Sequence, residues 1–567
     1  MSSLTPQLAT WLLTIVEFVL LVSLLVLFLL RGPKKQAITR FRSAFQRIAR
    51  RRGLSIVLVG ASVVVIRTAL IPVLGIPQPR WNDEFSYLLA ADTFAHGRVT
   101  NPTHPMWVHF ERFHIIEKPT YMSMYPPGEG LVLAAGERLG HPWIGQMLIT
   151  ALMCAAMCWM LQGWVPPAWA LIGGVIAVFR IAILGYWMNG YWSGSIVALG
   201  GILVLGALPR LKRHLRTRDA LIMAAGLVIL ANTRPYEGFM FSLPVAAAVL
   251  VFLFGKQGPS LGVKVRRLAL PMVFVLAIAA VATGYYYYRV TGSPFRLTYQ
   301  VNRQTYAMAP YFIWQTPRSE PQYHHALMRQ FYEWELSGFQ QNRTLEGFLV
   351  RAADKFGSCW RYYLGPTLSL AFLAFPWAVR DRKLRFLLIA LGFFVLALAV
   401  ETWTMPHYFA PATGLLYVVL LQCMRHLRLW RWDEGQTGAG LVRIIVVVCV
   451  AMVFIRVGAV LANAQIEPAW PRGNLNRARV LDDLKRKPGN HLVLVRYSPE
   501  HDVDDEFVYN RADIDNSKVV WAREMGSADD AELLKYFHNR QAWTINADDA
   551  HPIPMPFSPA MDTAKAR

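Results

Sequence analysis

Two adjacent acids, Asp83 and Glu84, follow directly after a long apolar run, in the stretch 79–87 with the sequence PRWNDEFSY. A carboxylate that stands in water just outside a bilayer can take the proton of a hydroxyl acceptor in a group-transfer reaction. The acids also precede an amphipathic stretch at 87–96, and the positive end of a helix favours acidic side chains for purely structural reasons. The pair therefore predicts either a general base or a solvated helix start.

A turn-forming stretch closes the loop that the acid pair opens. Tyr125 precedes Pro126, Pro127 and Gly128, and two prolines with a glycine fix a turn where the chain returns toward the next apolar run. Lys118 lies a few residues earlier and offers a cation for a departing phosphate. The turn alone is weak evidence, and its position between the acid pair and the next apolar run makes it a better candidate.

Two more polar segments stand where apolar runs end. The first is TRPYEG at 233–238, with Arg234 and Glu237, and the planar fork of an arginine matches the oxygens of a phosphate. The second is MPHYF at 405–409, where His407, next to Tyr408, could bind phosphate or move a proton. The structural alternatives are an arginine that reaches to the membrane interface and a histidine with only local hydrogen bonds.

Metal-binding residue types occur in the stretch 289–362, as His324, His325, Glu333 and Glu335. Their spacing matches no tight ligand motif, so we assign no metal site and no certain cofactor, and leave open a divalent cation. The segment 323–334 has the pattern of an interfacial amphipathic helix that covers a site. The five cysteines form no disulfide or zinc pattern and are expected to be packing residues.

Apolar runs long enough to cross a bilayer recur through the first 462 of the 567 residues, and the chain is 54% hydrophobic and only 17% charged. A soluble protein carries about 25% charged residues, and a spanning helix needs about 20 apolar ones. We therefore predict an all-α multi-pass membrane protein. Its spans, about twelve in number, are expected at 8–30, 54–74, 145–163, 168–186, 191–208, 219–231, 238–254, 268–288, 363–379, 384–402, 408–424 and 441–462.

The basic residues predict the orientation of these spans. Lys and Arg are concentrated in the segments 31–53, 209–218, 255–267, 380–383 and 425–440. Such segments are typical of cytoplasmic loops, and one topology satisfies them all, with both termini and the four polar segments outside. We interpret the net charge of +22 as this signal together with contacts to anionic lipids, and not as a nucleic-acid surface.

Glu17 and Arg67 are charged side chains well inside apolar runs. Glu17 lies about 13 Å and Arg67 about 10 Å from the outer ends of their spans, at 1.5 Å per residue. Their similar depth allows them to pair and so to offset the cost of burial, a reading that we favour over a proton relay. Arg180, near an outer helix end, is expected to extend to the interface.

The chain is predicted to contain three domains. They are an anchor helix with a basic cytoplasmic loop (1–53), a transmembrane domain with outer loops at 75–144 and 289–362 (54–462), and a small extracytoplasmic α/β domain (463–567).

The last domain is expected to alternate helices with strands and to end in a frayed, proline-rich segment. No glycine-rich phosphate loop accompanies its strands, so a nucleotide site is not expected. The patterns indicate helices at 475–487 and 531–540 and strands at 491–497, 519–525 and 542–546.

The layout of these motifs resembles the GT-C superfamily of polyprenyl-phosphate-sugar glycosyltransferases, particularly the bacterial relatives of protein O-mannosyltransferases and aminoarabinose transferases. Those proteins carry an Asp or Asp-Glu motif in the first large outer loop, a Pro-Pro turn at its end, and an Arg or His with Tyr near a late outer helix end. Residues 83–84, 126–127 and 407–408 stand in those places, and the resemblance covers roughly 54–430. It implies that Asp83, with Glu84 as the alternative, is the general base.

The sequence departs from that pattern in three ways. An extra span precedes the usual first helix. Tyr125 stands where the family places Lys or His before the prolines, with Lys118 as a substitute cation. His407 stands where many relatives have Arg.

Together, the motifs and the resemblance predict an inverting glycosyltransferase of the bacterial inner (cytoplasmic) membrane, with its active site facing the periplasm. It would move a sugar from a polyprenyl-phosphate carrier to a hydroxyl group of an envelope glycan, lipid or protein. The alternatives are a transporter or flippase for a lipid-linked saccharide and a non-catalytic envelope assembly protein. The residues that bind the lipid phosphate and the substrates are expected to be Lys118, Tyr125, Arg234, Glu237, His407 and Tyr408.

Overall fold

The computed structural model describes residues 6–31, 39–256, 258–431, 437–464, 466 and 470–557. The chain forms two compact units. We call the first the helical unit; it comprises Met1–Gly75, Gln146–Val281 and Asn342–Trp470. We call the second the mixed unit; it comprises Ile76–Gly145, Ala282–Gln341 and Pro471–Arg567.

Seven helices within the described residues are long and apolar enough to cross a membrane. Each coincides with a span predicted from the sequence, because runs of about 20 apolar residues form helices whose backbone groups are all paired internally. The prediction of a mostly helical, multi-pass membrane protein is therefore confirmed. The seven are Trp11–Leu30, Arg52–Ala69, Pro142–Leu161, Gly194–His214, Pro235–Phe254, Leu261–Thr291 and Thr437–Leu461.

The other five predicted spans coincide with shorter or interrupted helices. The segment 363–379 is divided where Pro366 and Pro376 stand at the starts of short helices, since proline cannot continue a helix that precedes it. The total of twelve spans stays a prediction. The elements at these positions are Pro167–Ala177 with a π turn at Val178–Ala182, Thr217–Ala231, Gly365–Ser369, a 3-10 turn at Leu370–Ala374, Phe375–Ala378, Arg382–Ala399 and Thr413–Arg428.

A proline-rich stretch precedes the helix Thr413–Arg428 and shapes the end of that helix. Pro406 and Pro411 lie in two 3-10 turns, Pro406–Tyr408 and Ala410–Ala412. The neighbouring helix packs so closely that a Cβ at Gly201 would lie 2.0 Å from the carbonyl oxygen of Pro411. Only glycine permits this approach to the turn Ala410–Ala412, which follows the turn that carries His407.

The remaining helical elements of this unit connect or extend the spans. They are the full first helix Pro6–Arg31, Thr39–Arg50, Ile71–Leu74, Leu261–Lys264 with a π turn at Val265–Ala269, Leu270–Thr291 and Leu345–Tyr363.

The buried acid of the first helix has a different partner from the one predicted. Glu17 pairs with Arg180, at 2.8 Å between Oε2 and Nη1, and its Oε1 accepts the backbone N–H of Thr367 at 3.1 Å. Both predictions here are wrong: Glu17 does not pair with Arg67, and Arg180 does not reach outward. In an apolar region, a buried carboxylate that is paired with a guanidinium is more stable than a buried carboxylate without a counter-charge.

Arg67 instead donates to neutral oxygens. Its Nε donates to Oδ1 of Asn189 at 3.0 Å, and its Nη2 donates to the carbonyl oxygen of Gly75 at 2.6 Å. The Asn189 amide in turn donates to the carbonyl oxygens of Ile183 and Gly185. A buried cation can be accommodated in this way because oriented dipoles replace part of its hydration.

The mixed unit contains two sheets. A short antiparallel hairpin pairs β1 (Ile115–Ile116) with β2 (Met122–Ser123). The larger sheet has the order β4-β3-β5-β6, in which β3 (His491–Arg496) is parallel to β4 (Val519–Arg523) and β5 (Gln541–Asn546), and β6 (Met555–Pro556) is antiparallel. His491 stands opposite both Val519 and Gln541. The helices of the unit are Asn82–Ala95, Trp107–Phe110, Pro127–Arg138, Thr298–Tyr306, Ala326–Asn342, Leu475–Arg486 and Ser527–Tyr536.

Strand β3 is buried on both faces, which explains its continuous apolar sequence. Leu492 and Leu494 pack in one cluster with Leu89, while Val493 and Val495 pack in a second cluster. The three strands and two helices predicted for 475–546 are confirmed in order and type. The tail shares the first cluster with the helix Asn82–Ala95, and the predicted domain boundary at 463 stays a prediction. The end expected to be frayed lies, from residue 558, outside the described residues.

Candidate functional site

The acid pair stands in the first turn of the helix Asn82–Ala95, and its two members have different surroundings. Glu84 is buried, and its Oε2 accepts the backbone N–H groups of Arg80 at 2.9 Å and Trp81 at 3.2 Å. A carboxylate in this position satisfies backbone donors that the helix start leaves unpaired. The side chain of Asp83, in contrast, is 21% exposed. Glu84 is thus occupied as a helix cap, and Asp83 is the member of the pair that a substrate can reach.

The β1-β2 hairpin brings a phenol and an imidazole to Asp83. The hydroxyl group of Tyr125, just after β2, donates to Oδ1 of Asp83. Nδ1 of His114, just before β1, lies 3.6 Å from Oδ2. Burial raises the pKa of Tyr125 well above its usual range, with the Asp83 charge as the next cause, so the phenol stays protonated and donates.

His114 adopts a conformation that a histidine rarely takes. Its φ of 59° lies in the left-handed region, which is unfavourable for residues with a Cβ. Its carbonyl oxygen accepts from the hydroxyl group of Ser86 at 2.6 Å and from the backbone N–H of Met124 at 3.1 Å. These bonds hold the strained residue, and strain of this kind often occurs at functional sites.

An acidic loop, residues 502–505, is joined to the segment that precedes Asp83. Arg80 forms ion pairs with Asp502 at 3.1 Å and with Asp505 at 2.7 Å. Between these acids, Asp504 has a pKa raised to about 7 by burial and by the charges of Asp502 and Asp83. The mixed unit therefore holds a second carboxylate that acts electrostatically on Asp83.

Lys118 lies at the opposite end of the hairpin from His114. Its ammonium nitrogen is 4.3 Å from the ring centroid of Trp107, within the range of a cation–π contact. The residue is exposed. Three residues of a roughly extended chain lie between it and His114, a span on the order of 10 Å. The hairpin thus brings Tyr125 to Asp83 but not Lys118.

A second cluster, in the helical unit, gathers three of the predicted residues. Arg234 stands just before the helix Pro235–Phe254 and is buried. Its Nη1 lies 3.3 Å from Oε1 of Glu237, and its guanidinium carbon lies 4.2 Å from the ring centroid of Tyr408. The carboxylate and the aromatic face together fix the plane of the guanidinium, as recognition of a phosphate requires.

His407 stands next to Tyr408 and is buried among aromatic rings. Its Nδ1 lies 3.0 Å from the hydroxyl oxygen of Tyr186, and its ring centroid lies 4.9 Å from that of Trp192. Tyr363 holds the turn by donating to the carbonyl oxygen of Pro406 at 2.8 Å. This is the local hydrogen bonding of the structural alternative, and a role in phosphate binding stays a prediction.

Two residues that the sequence did not single out complete the Arg234 cluster. Glu401 is buried. Lys355 donates to the backbone carbonyl oxygen of Glu401 at 2.5 Å. The cluster thus combines two cations with two carboxylates.

The site residues that were not predicted from the sequence stand in sequence patterns that are common in other proteins. His114 lies in an alternating stretch that reads only as a strand, and Asp504 lies in the acid-dense segment 501–506, which reads as a solvated loop. Glu401 is a single charge near the edge of an apolar segment, and Lys355 directly follows Asp354 in a mixed stretch. Only their packing in three dimensions distinguishes them.

The histidines and glutamates of 289–362 have partners of their own. His324 and His325 lie 2.9 and 3.8 Å from the carboxylate of Glu111. Glu335 pairs with Arg303 at 2.5 Å, and Glu333 lies 3.4 Å from Arg329. Each carboxylate thus has a neighbouring cation or imidazole, and no ligand set is formed by these four residues.

A different group, Asp92, His96 and Glu137, could hold a metal ion, because its ligand atoms lie within 4.8 Å of one another. Arg511 is inserted among them and pairs with both Asp92 and Glu137. The guanidinium pairs with the two carboxylates that a cation would need. The three residues therefore also form an ionic cluster without a metal ion.

No protein-family model matches the sequence, and no curated protein matches it. Among solved structures, the chain is similar to the oligosaccharyltransferase of Archaeoglobus fulgidus. Against that protein in complex with zinc and sulfate, the TM-score is 0.47 at 10% identity, covering 87% of this chain and 67% of the other. Against the form tethered to an acceptor peptide, it is 0.43 at 13% identity, covering 78% and 62%. Against the form with an inhibitory peptide and a dolichol-phosphate, it is 0.38 at 10% identity, covering 87% and 69%.

The chain thus spans about two thirds of the length of the structures that it matches. At this identity the likeness concerns the path of the chain, and the function must be inferred from the side chains described above.

Proposed function

We propose that this membrane protein is an inverting glycosyltransferase that uses a polyprenyl-phosphate-linked sugar as donor and a hydroxyl group as acceptor. The proposed fold is of the GT-C type, with about twelve spans and a small α/β domain outside the membrane. The proposed location is the inner membrane of a bacterium, with the site facing the periplasm. The basic segments between the apolar runs support this orientation.

One observation supports the proposal more than the others. Asp83 is a partly exposed carboxylate, and its neighbours are a phenol and an imidazole, which can both be neutral. The Tyr125 hydroxyl orients it through a hydrogen bond, and Nδ1 of the His114 imidazole lies 3.6 Å from its other oxygen. Neither has the permanent charge of a guanidinium, which would strongly weaken a carboxylate as a base. An oriented and accessible carboxylate is what abstraction of a hydroxyl proton requires.

In the proposed reaction, Asp83 takes the proton of the acceptor hydroxyl group as its oxygen attacks the anomeric carbon of the sugar. The new carbon–oxygen bond forms on the face opposite the phosphate, and the bond to the phosphate oxygen breaks. The polyprenyl phosphate leaves with the electron pair, so the configuration at the anomeric carbon inverts. The proton then passes from Asp83 to water.

The proposal assigns the carrier phosphate to the cluster of Arg234, Glu237, His407 and Tyr408, with Lys118 as a further cation. The ion pair with Glu237 and the contact with Tyr408 restrict the Arg234 guanidinium to one orientation. A pre-oriented cation stabilises the charge that develops on a leaving phosphate without a cost in reorganisation.

The test uses a deletion strain complemented with wild-type protein, Asp83→Asn, or the control Asp529→Asn. Asp529 is an exposed acid in the first turn of another helix of the same unit, so its replacement removes the same charge from a similar position. Envelope saccharides and lipid-linked sugars are measured by mass spectrometry. We expect Asp83→Asn to lose the saccharide that wild type restores and to accumulate the lipid-linked donor, because loss of a general base slows transfer about 10²- to 10⁴-fold.

Oxidation of intact spheroplasts with membrane-impermeant periodate separates the alternatives. For a blocked transferase, the accumulated donor is accessible from outside; for a blocked flippase, it is protected. A non-catalytic assembly protein is indicated if Asp83→Asn restores the saccharide as well as Asp529→Asn at equal membrane levels. A deletion that changes neither saccharides nor donor contradicts the proposal.

A further inference from the structure

The acidic loop 502–505 comes from the C-terminal part of the chain, yet it is fixed to the residues that immediately precede Asp83. Arg80 binds Asp502 and Asp505, one on each side of Asp504. The side-chain amide of Asn82 donates to the carbonyl oxygen of Val503 at 2.8 Å. Asn82 and Val503 thus form a hydrogen-bonded pair. Asp83 directly follows Asn82 in the sequence, and Asp504 directly follows Val503.

The residue that follows the loop also fixes the position of the loop. Glu506, directly after it, is 1% exposed and accepts the backbone N–H groups of Phe507 and Val508 at 3.0 and 2.9 Å. Its other oxygen pairs with Arg523 at 2.6 Å. With both ends held, the loop presents Asp504 in a defined place.

We propose that Asp504 is a positioning residue that acts through Asp83, and that its negative charge strengthens Asp83 as the base. This inference rests on the proposed function. A negative charge beside a carboxylate makes that carboxylate hold a proton more tightly, so the base becomes a better acceptor of the hydroxyl proton. Asp504 exchanges no proton with the substrate in this account and forms no covalent bond.

The charged and titratable groups around the two carboxylates determine the sign of the effect. Arg80 is engaged by Asp502 and Asp505, so its charge is shared by two acids. On the other side of Asp83 stand the Tyr125 phenol and the His114 imidazole. Burial and the charges of Asp502 and Asp83 raise the pKa of Asp504 to about 7, so its charge develops in the neutral range. The influence of Asp504 is therefore largest above pH 7.

The experiment measures the pH–rate profile of purified full-length protein in lipid vesicles from pH 5 to pH 9. The donor probe is the lipid-linked sugar that accumulates in the deletion strain, and the acceptor is the envelope fraction of the same strain. The variants are Asp504→Asn, the conservative Asp504→Glu, the control Asp529→Asn, and Asp83→Asn. A thermal midpoint is recorded for each variant, so that a folding defect is recognised.

We expect Asp504→Asn to reduce the rate at pH 8 by about 3- to 10-fold and to leave the rate near pH 5, where Asp504 is protonated, close to that of wild type. Asp504→Glu should restore most of the rate, because it restores the charge, whereas Asp529→Asn should match wild type. A profile of Asp504→Asn that coincides with that of Asp529→Asn at equal thermal stability overturns the inference alone. Full activity of Asp83→Asn overturns the proposed function instead.

Discussion

The buried carboxylate of Glu506 supports both the sheet of the mixed unit and the acidic loop beside Asp83, so its replacement by glutamine tests how that loop is held. The side chain pairs with Arg523 at 2.6 Å and also accepts from the hydroxyl group of Tyr497. Glutamine keeps the shape but removes the charge. Arg523, itself only 3% exposed, then remains as a buried cation without its counter-charge.

The expected loss of stability follows from the pKa of Glu506. Burial alone would raise this pKa, but the charges of Arg523 and Arg112 outweigh it and lower the value from 4.5 to about 2. The difference corresponds to about 3 kcal/mol at 1.36 kcal/mol for each pKa unit. Because the folded-state pKa is the lower one, this stabilisation is complete above pH 4.5 and is lost as the pH falls through about 2. Breaking a buried ion pair from one side costs about 3–5 kcal/mol, in agreement.

The assay is hydrogen exchange of the purified protein at pH 7, followed by mass spectrometry of peptides from β3 and β4. We expect Glu506→Gln to lower the free energy of opening of these strands by about 3 kcal/mol, a more than hundredfold rise in exchange. Glu500→Gln, which removes an exposed acid six residues earlier, is the control. The double variant Glu506→Gln with Arg523→Met should recover part of the loss, because it removes the uncompensated cation. Equal exchange in Glu506→Gln and Glu500→Gln would refute the reasoning.

Three further substitutions test other parts of the structure. Glu17→Gln should lower the free energy of unfolding by about 3–5 kcal/mol and reduce the amount of protein in the membrane, as measured by quantitative immunoblotting. Adding Arg180→Met should restore part of that amount, and a normal amount in Glu17→Gln would contradict the importance of this ion pair. Arg234→Lys should reduce transfer about tenfold or more, since lysine keeps the charge but not the planar fork, and an unchanged rate would exclude the assigned phosphate contact. Tyr125→Phe should keep the fold but weaken the orientation of Asp83, with a loss of about 10-fold in kcat, and an unaltered kcat would show that the hydroxyl group is dispensable.

The helical framework and the tail could be predicted from the sequence because their signals are local. Long apolar runs must form internally hydrogen-bonded helices in a membrane, and the run at 491–497 has the composition of a strand buried on both faces. The pairing of Glu17 could not be predicted in the same way. Depth alone made Arg67 a suitable partner, whereas the choice of Arg180 depends on how distant helices pack.

The candidate site was predictable only in part, for the same reason. The acid pair, the turn at 125–128 and the polar helix ends are recognisable because their residue types are out of place in their surroundings. Asp504 and His114 were not recognisable, since an acid-dense loop and an alternating stretch are common in any solvated domain. The proximity of Asp504 to Asp83 depends on the side-chain contacts of Arg80 and Asn82 with a loop more than 400 residues away in sequence. The proximity of His114 depends on how the β1-β2 hairpin packs.

The mixed unit contains many carboxylates, and what distinguishes Asp83 is the kind of group that holds it. Asp92 and Glu506 are paired with arginines, and Glu84 is bonded to backbone N–H groups of a helix start. Such partners stabilise the ionised form, so these acids are poor bases and contribute to stability instead. Asp83 is oriented by the Tyr125 phenol, whose hydrogen bond favours the ionised form, and in our proposal the negative charge of Asp504 offsets that loss of basicity. A base needs both properties at once, because orientation without basicity gives a structural acid and basicity without orientation gives a solvated one.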